Sequence, residues 1–290
     1  MHWNRYCLCY LAPNDSKAAG GTDDRRHETI GSSPSRQGNV PGCTATTEPD
    51  AGTCTDCSTE MSPPYAELCA WTHHSFLRGA SSPEDMVATA HDLGYAALAI
   101  TDWNDMGGVV RAHTAAKQCG LKLLIGAHLQ TQEPTLPSVV LLARNRAGYG
   151  QLCRLITEAK QNKPNIAIPF ARLITHATQC VGLIMGPAPE REARMFAQAF
   201  GVHGAMAITR RFEPGEEQVL RSSQALAETV GLPLVATGHA RCHKPQQKAL
   251  LDVLTAIRLG RTVADCGFAL TPNAECALQP TRRYANRFHR

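Results

Sequence analysis

The hydrophobic pattern divides the chain in two. From Met1 to Pro64 there is scarcely an aliphatic run, and Gly, Ser, Thr, Pro and Asp dominate. Such a stretch buries too little apolar surface to offset the entropy of ordering its backbone, so 1–64 is expected to be a disordered leader. From Tyr65 onward, short apolar runs alternate with amphipathic stretches. Tyr65 to Trp71 is short and weakly alternating, which suits a strand. Ser82-Pro83-Glu84-Asp85 reads as a helix start, with Ser as N-cap, Pro at the first helical position and acids in the first turn. Met86, Val87, Ala90 and Leu93 then share one helical face, and Gly94 ends it. Tyr95 to Ile100 is a continuous apolar run, the pattern of a strand buried on both faces of a parallel sheet.

The alternation repeats. Met106 to Gln118 reads as a helix closed by Gly120, followed by a strand over Leu121 to Ile125. Ser138 to Ala143 reads as a strand and Tyr149 to Lys160 as an amphipathic helix. Strands follow over Cys180 to Met185, Gly204 to Ile208 and Pro233 to Thr237, separated by helices over Glu190 to Phe200 and Glu216 to Val230. A last helix spans Pro245 to Leu259, with Ala249, Leu250, Val253, Leu254 and Ile257 expected to face inward. Seven strands interleaved with helices predict parallel pairing with right-handed crossovers, in an open sheet or a barrel. The glycines at Gly79, Gly107, Gly108, Gly148 and Gly150 match neither the dinucleotide fingerprint nor the P-loop, which favours the barrel. One domain is expected over 65–280, with a basic tail over 281–290.

Composition changes this picture little. A hydrophobic content of 43% is enough for a sizeable core. The leader is net acidic, so the +4 of the whole chain becomes a mildly basic +7 for the rest, with Arg282, Arg283, Arg287 and Arg290 concentrated at the end. That is compatible with a nucleic-acid partner without requiring one. No signal peptide or membrane-length apolar run is present, so the 12 cysteines are read as buried small hydrophobes of a cytoplasmic protein. Cys54 and Cys57 have zinc-ligand spacing, with Cys43, Cys7 and Cys9 upstream. A structural zinc site ordinarily has two such pairs, and only one exists here.

In a barrel, chemistry lies at the strand C-terminal ends. Five clusters fall there: 69–75, 101–105, 126–128, Met185-Gly186 and 237–243. Asp, His and Cys converging on one rim is the pattern of a metal-assisted hydrolase. Ordinary placement of a histidine-rich composition is the competing reading.

Several ordered blocks resemble a known family. Tyr65-Ala66-Glu67-Leu68, Ser75-Phe76-Leu77-Arg78-Gly79-Ala80-Ser81, the 93–102 segment ending in Thr101-Asp102, Gly108 to His113, Gly148 to Thr157 and Ala249 to Leu259 resemble the polymerase-and-histidinol-phosphatase (PHP) domain. The version resembled is the one opening error-prone, C-family bacterial DNA polymerases, over about Tyr65 to Glu275. The resemblance implies a distorted seven-stranded β/α barrel, in agreement with the strand count. It also implies metal ions held by a His-x-His after the first strand, an Asp-His after the second, a Glu after the third and a late Asp-x-His. In this chain those positions hold Cys69 and Trp71, Asp102 and Trp103, His128, and His239 and Arg241. Of the seven, only Asp102 matches.

The departures have physical consequences. Indole cannot ligate a metal, so Trp71 and Trp103 remove ligands and fill space. Arg241 at about 4 Å from a divalent ion, at an effective dielectric of ~20, meets a repulsion of roughly 8 kcal/mol before screening. Arg241 is therefore expected to pair with Asp102 in place of the ion, and no catalytic residues and no metal are expected. The alternative is one tetrahedral site built from Cys69, Asp102, His128 and His239, all zinc-competent. His73, His74 and His243 are expected to face solvent.

The leading expectation is a PHP-domain fragment of an error-prone DNA polymerase, truncated before the polymerase core. It would be a scaffold in damage-induced translesion synthesis that is itself inactive. DNA, other translesion polymerase subunits and the sliding clamp are partners implied by the resemblance alone. The competing readings are a free-standing phosphoesterase or 3′–5′ exonuclease using zinc, manganese or magnesium, and a zinc-dependent binding module built on the leader cysteines.

Overall fold

A computed structural model describes residues 64–161 and 163–288. Expectations for 1–63, including the disordered leader and the Cys54–Cys57 group, lie outside the described residues. The seven strands are β1 (Ala66–Ala70), β2 (Ala97–Ile100), β3 (Leu123–Leu129), β4 (Val139–Ala143), β5 (Cys180–Ile184), β6 (Gly204–Ile208) and β7 (Leu234–Ala236). They form one sheet in sequential order. The sheet curls until its edges meet: Ala70 bridges Ala240, just beyond β7, with Trp71 N–H donating to Ala240 O at 2.8 Å and Ala240 N–H to Cys69 O at 2.9 Å. This is a distorted β/α barrel.

The pairing is not all parallel. β1–β2, β2–β3, β5–β6 and β6–β7 are parallel, but β4 runs antiparallel to both β3 and β5. The reason lies in the connection: 130–138 contains no helix, so the chain doubles back as a hairpin-like return. Apolar runs mark a strand but carry no sign of its direction.

Helices cover the outside. α1 (Pro83–Asp92) begins as expected, with the Ser82 side chain accepting from Asp85 N–H at 3.0 Å. α2 (Val109–Cys119), α3 (Arg146–Gln161), α5 (Glu190–Phe200) and α6 (Glu216–Val230) follow the predicted places. Between α3 and β5 lies α4 (Phe170–His176), too short for periodicity to reveal. The core has two main parts. One joins β3–β6 to α3, α5 and α6 around Leu141, Leu152, Leu155 and Phe196. The other packs Tyr65, Met86, Leu98, Ile100 and Ala112 between β1, β2, α1 and α2.

Two helices differ from expectation. α7 (Lys248–Leu259) buries Leu251, Thr255 and Ala256, with Leu254 partly buried against Ala80, Cys242 and Cys276. Ala249, Leu250, Val253 and Ile257 are exposed, Ile257 by 59%. The helix is apolar on two sides, so the 3.6-residue period admits either face, and packing selects the one the pattern did not. The stretch read as a basic tail holds α8 (Thr281–Phe288). Its Tyr284 stacks on Tyr65 with ring centroids 4.4 Å apart, while Arg283 and Arg287 pair with Glu275. The basic residues there serve to dock a helix.

Burial of Glu67 explains how the barrel edges are held. Its carboxylate, fully buried, accepts from Tyr65 Oη at 2.7 Å, Cys69 N–H at 2.9 Å, Gly238 N–H at 2.9 Å and the Thr237 hydroxyl. A Cβ on Gly238 would lie 2.1 Å from Tyr284 Oη and 2.7 Å from Glu67 Oε2, so this position admits only glycine.

The α7 assignment has a direct measure. Leu251→Ala is expected to lower the unfolding free energy by about 2–4 kcal/mol. Ile257→Ser should stay within about 0.5 kcal/mol of the parent in urea titrations. The reverse order would show that the inward face is wrong.

Candidate site at the strand ends

The parallel strands deliver their C-terminal ends to one rim. β1 ends at Cys69 to Trp71, β2 leads to Asp102 and Trp103, β3 carries His128, and the turn after β7 carries His239 and Arg241. Backbone bonds join these ends, with His128 N–H donating to Asp102 O at 3.0 Å and Asn104 N–H to His128 O at 2.8 Å. Among the described residues, Cys69, His128 and His239 form a buried cluster whose ligand-type atoms all lie within 4.8 Å of one another. Asp102, the fourth member of the tetrahedral alternative, is not part of it.

Asp102 is occupied elsewhere. Its carboxylate accepts from Thr72 N–H at 2.6 Å, Thr72 Oγ1 at 2.8 Å and Ser75 Oγ at 2.6 Å. Burial raises its carboxyl, and these three donors act against that rise. Arg241 is not its partner, contrary to expectation. The Arg241 guanidinium lies over the Trp71 ring, 4.9 Å from the centroid, and its Nε has no hydrogen-bond partner. The loop after β1 supplies its own donors to Asp102 and so leaves Arg241 no carboxylate to meet.

The rings form a packed group. Trp71, 3% exposed, sits edge-on to Trp103 at 5.3 Å, His128 at 5.2 Å and His239 at 4.6 Å between centroids. Its indole N–H donates to His128 Nδ1 at 3.2 Å. Burial, then the charges of Arg241 and Arg78, pushes the His128 imidazole down to about 3. His239 is depressed as well, by burial and then by Arg241 and Arg211. Both are therefore neutral at physiological pH. The Cys69 thiol is raised by burial and by Glu67, so it stays protonated.

His74 and His243 are half-buried rather than solvent-facing, and His73 is exposed. His243 Nδ1 lies 2.8 Å from Ser81 Oγ, and the His243 N–H donates to the same hydroxyl at 2.9 Å. Three residues important to the rim were not singled out from sequence. Arg78 lies 4.6 Å over the Trp103 ring, Glu67 closes the barrel, and Arg211 lines the rim cavity. Arg78 and Arg211 lie in loops, where periodicity gives no signal. Glu67 was visible only as an acid inside a short apolar strand.

Comparison with known proteins gives the family. The PHP domain family model matches residues 69–230, and the chain belongs to that family. Among curated relatives, an error-prone DNA polymerase of Methylococcus capsulatus is 42% identical over 221 residues, covering 74% of this chain and 21% of that protein. The error-prone DNA polymerase of Ralstonia nicotianae is 38% identical over 244 residues, covering 77% and 23% respectively. This chain therefore spans about a fifth of the length of the curated relatives it matches. Among solved structures, an amidohydrolase from Chromobacterium violaceum aligns with a TM-score of 0.46 at 13% identity, over 59% of this chain and 86% of that one.

The residues present do not fit the metal centre the family implies. Two of the seven positions are indoles, one is a guanidinium, and Asp102 is held by three donors from its own neighbourhood. The remaining Cys69, His128 and His239 lie close together, but they offer a cation no carboxylate, since Asp102 is committed to Thr72 and Ser75. A cation there would also displace the Trp71 N–H from His128 Nδ1 and meet the charge of Arg241.

Asp102→Ala leaves three donors unpaired and is expected to cost about 3 kcal/mol or more. Arg241→Gln, with no carboxylate to strand, should cost less than about 1 kcal/mol in the same denaturation assay. Similar losses for both would restore the Asp102–Arg241 pair.

The depressed histidine makes a second prediction. Between pH 6.5 and about 3 the unfolded chain takes up a proton that folded His128 refuses, so this residue's contribution to stability is lost as pH falls through that window. Glu67 and Asp102, raised by burial, give the opposite slope just above their unfolded values. The difference between parent and His128→Gln isolates the histidine. It should approach a tenfold change in the folding constant per pH unit between about pH 6 and pH 4.5. Parallel pH profiles for the two proteins would contradict it.

Proposed function

We propose that this chain is the PHP portion of an error-prone DNA polymerase, serving damage-induced translesion synthesis as a scaffold that performs no hydrolysis. One observation carries the reading: a chain 42% identical to such a polymerase places Trp71, Trp103 and Arg241 at the rim. A rim that excludes cations and holds its histidines neutral is suited to packing and support. The likeness to the polymerases supports DNA, further translesion subunits and the sliding clamp as partners of the whole assembly. The cytoplasm is the proposed place of action. The seven described cysteines are free, and no described helix is long and apolar enough to cross a membrane.

The competing reading, a metal-dependent phosphoesterase or 3′–5′ exonuclease, is favoured only by the Cys69–His128–His239 cluster. The test is to strip the full chain with chelator, reload it with zinc, manganese or magnesium, and assay an aryl phosphate and 3′-labelled single-stranded DNA. Hydrolysis at the level of a protein-free blank, together with no template-directed primer extension, is expected. Metal-dependent turnover that is lost in His128→Gln would replace the scaffold reading with the enzymatic one.

A further inference from the structure

The rim opens into a cavity of about 440 Å³ whose lining includes Arg78, Arg211 and Arg241. Among the described residues, the guanidiniums of Arg78 and Arg241 have no ion pair and no hydrogen bond, only the faces of Trp103 and Trp71. Arg211, 9% exposed, meets Glu213 through Nη2 at 3.0 Å, but its Nε and Nη1 have no partner. His239 Nε2 and the hydroxyl of Ser223, a residue 1% exposed, are also unpartnered. Five buried side-chain polar atoms, on the four cavity-lining residues Arg211, Ser223, His239 and Arg241, therefore lack a hydrogen-bond partner among the described residues. An unmet buried donor costs about 1–3 kcal/mol, more when charged, so their concentration here calls for a ligand.

The wall's acids do not supply one. Glu213 is engaged with Arg211, and Glu216 accepts the backbone N–H groups of Arg211 and Phe212. The two histidines are neutral. Three cations therefore face a cavity with two committed carboxylates, and burial followed by the like charge of Arg211 pulls Arg241 down to about 10. Guanidiniums present fixed N–H forks that match a tetrahedral oxyanion with several acceptor oxygens. Met185, Ile208, Val219 and Leu220 line the remainder, leaving apolar space beside the charged wall.

We propose that this cavity is an anion site that takes a phosphoryl dianion, held by Arg78, Arg211 and Arg241, with the organic part of a phosphate monoester against the apolar wall. The site works without a metal: loss of the family's cation ligands has reversed the sign of the charge the rim accepts.

The test uses the full chain in EDTA at fixed ionic strength, titrated by calorimetry with inorganic phosphate and, separately, with a nucleoside 5′-monophosphate. Saturable binding of one phosphate per chain is expected, with affinity falling about tenfold or more in Arg241→Gln and in Arg211→Gln. Arg194→Gln, on the exposed face of α5, is the control and should bind as the parent does. Circular dichroism reports folding. Should the buried-arginine variants unfold, Arg78→Gln, in a loop outside the core, carries the same expected loss. Tighter binding of the monophosphate assigns an ester as ligand, and equal binding assigns free phosphate; both support the site. Absence of saturable binding in EDTA, or equal affinity in the parent, a folded arginine variant and the control, overturns it.

Discussion

The barrel depends on a buried carboxylate. Glu67 stands near the start of β1, yet two of its four donors, Thr237 and Gly238, come from just after β7. A sheet of seven strands in sequential order has two free edges, and each would expose unpaired backbone groups. Glu67 brings those edges into register, so that Ala70 and Ala240 can bridge and Trp71 can donate to Ala240. Tyr65, Tyr95 and Tyr284 enclose the carboxylate in a shell of rings, with Tyr65 contacting the other two at centroid separations of 5.0 and 4.4 Å. Four of the rim residues inherit their positions from this closure, because Cys69 and Trp71 lie on one side of the seam and His239 and Arg241 on the other.

The same seam explains why the rim differs so much from a metal centre. A divalent ion needs acids and imidazoles directed at one point, and it holds strand ends together by attraction to a single charge. Here that cohesion comes from aromatic packing around Trp71 and from Thr72 and Ser75 closing on Asp102. Once the attraction of a cation is absent, arginines can occupy the space it kept clear. Arg241 rests on an indole face, where the ring quadrupole offsets part of its charge.

Much of the fold was legible in the sequence. Apolar runs located seven strands, and residues with strong local chemistry located helix ends: Ser82 capped α1 and Gly120 closed α2. What local pattern cannot carry is direction and choice. The reversal of β4 depends on a helix-free connection, and α7 offered two apolar sides of which only the Leu251 side meets Cys242 and Cys276. In the site, residue types pointed to seven strand-end positions, but their pairing was not readable. Asp102 and Arg241 are complementary in charge, and only geometry shows that Thr72 and Ser75 reach the carboxylate instead.

The outer side of α7 has a consequence for how the molecule behaves in water. Leu250, Val253 and Ile257 recur at helical spacing on the exposed surface, and Phe268 nearby in sequence is fully exposed. Contact between two such stripes releases hydration water, and that driving force weakens on cooling. Any contact made through this stripe would therefore strengthen on warming, well below unfolding, and reverse on chilling. An apparent loss of soluble protein on mild heating would then reflect its surface rather than its stability.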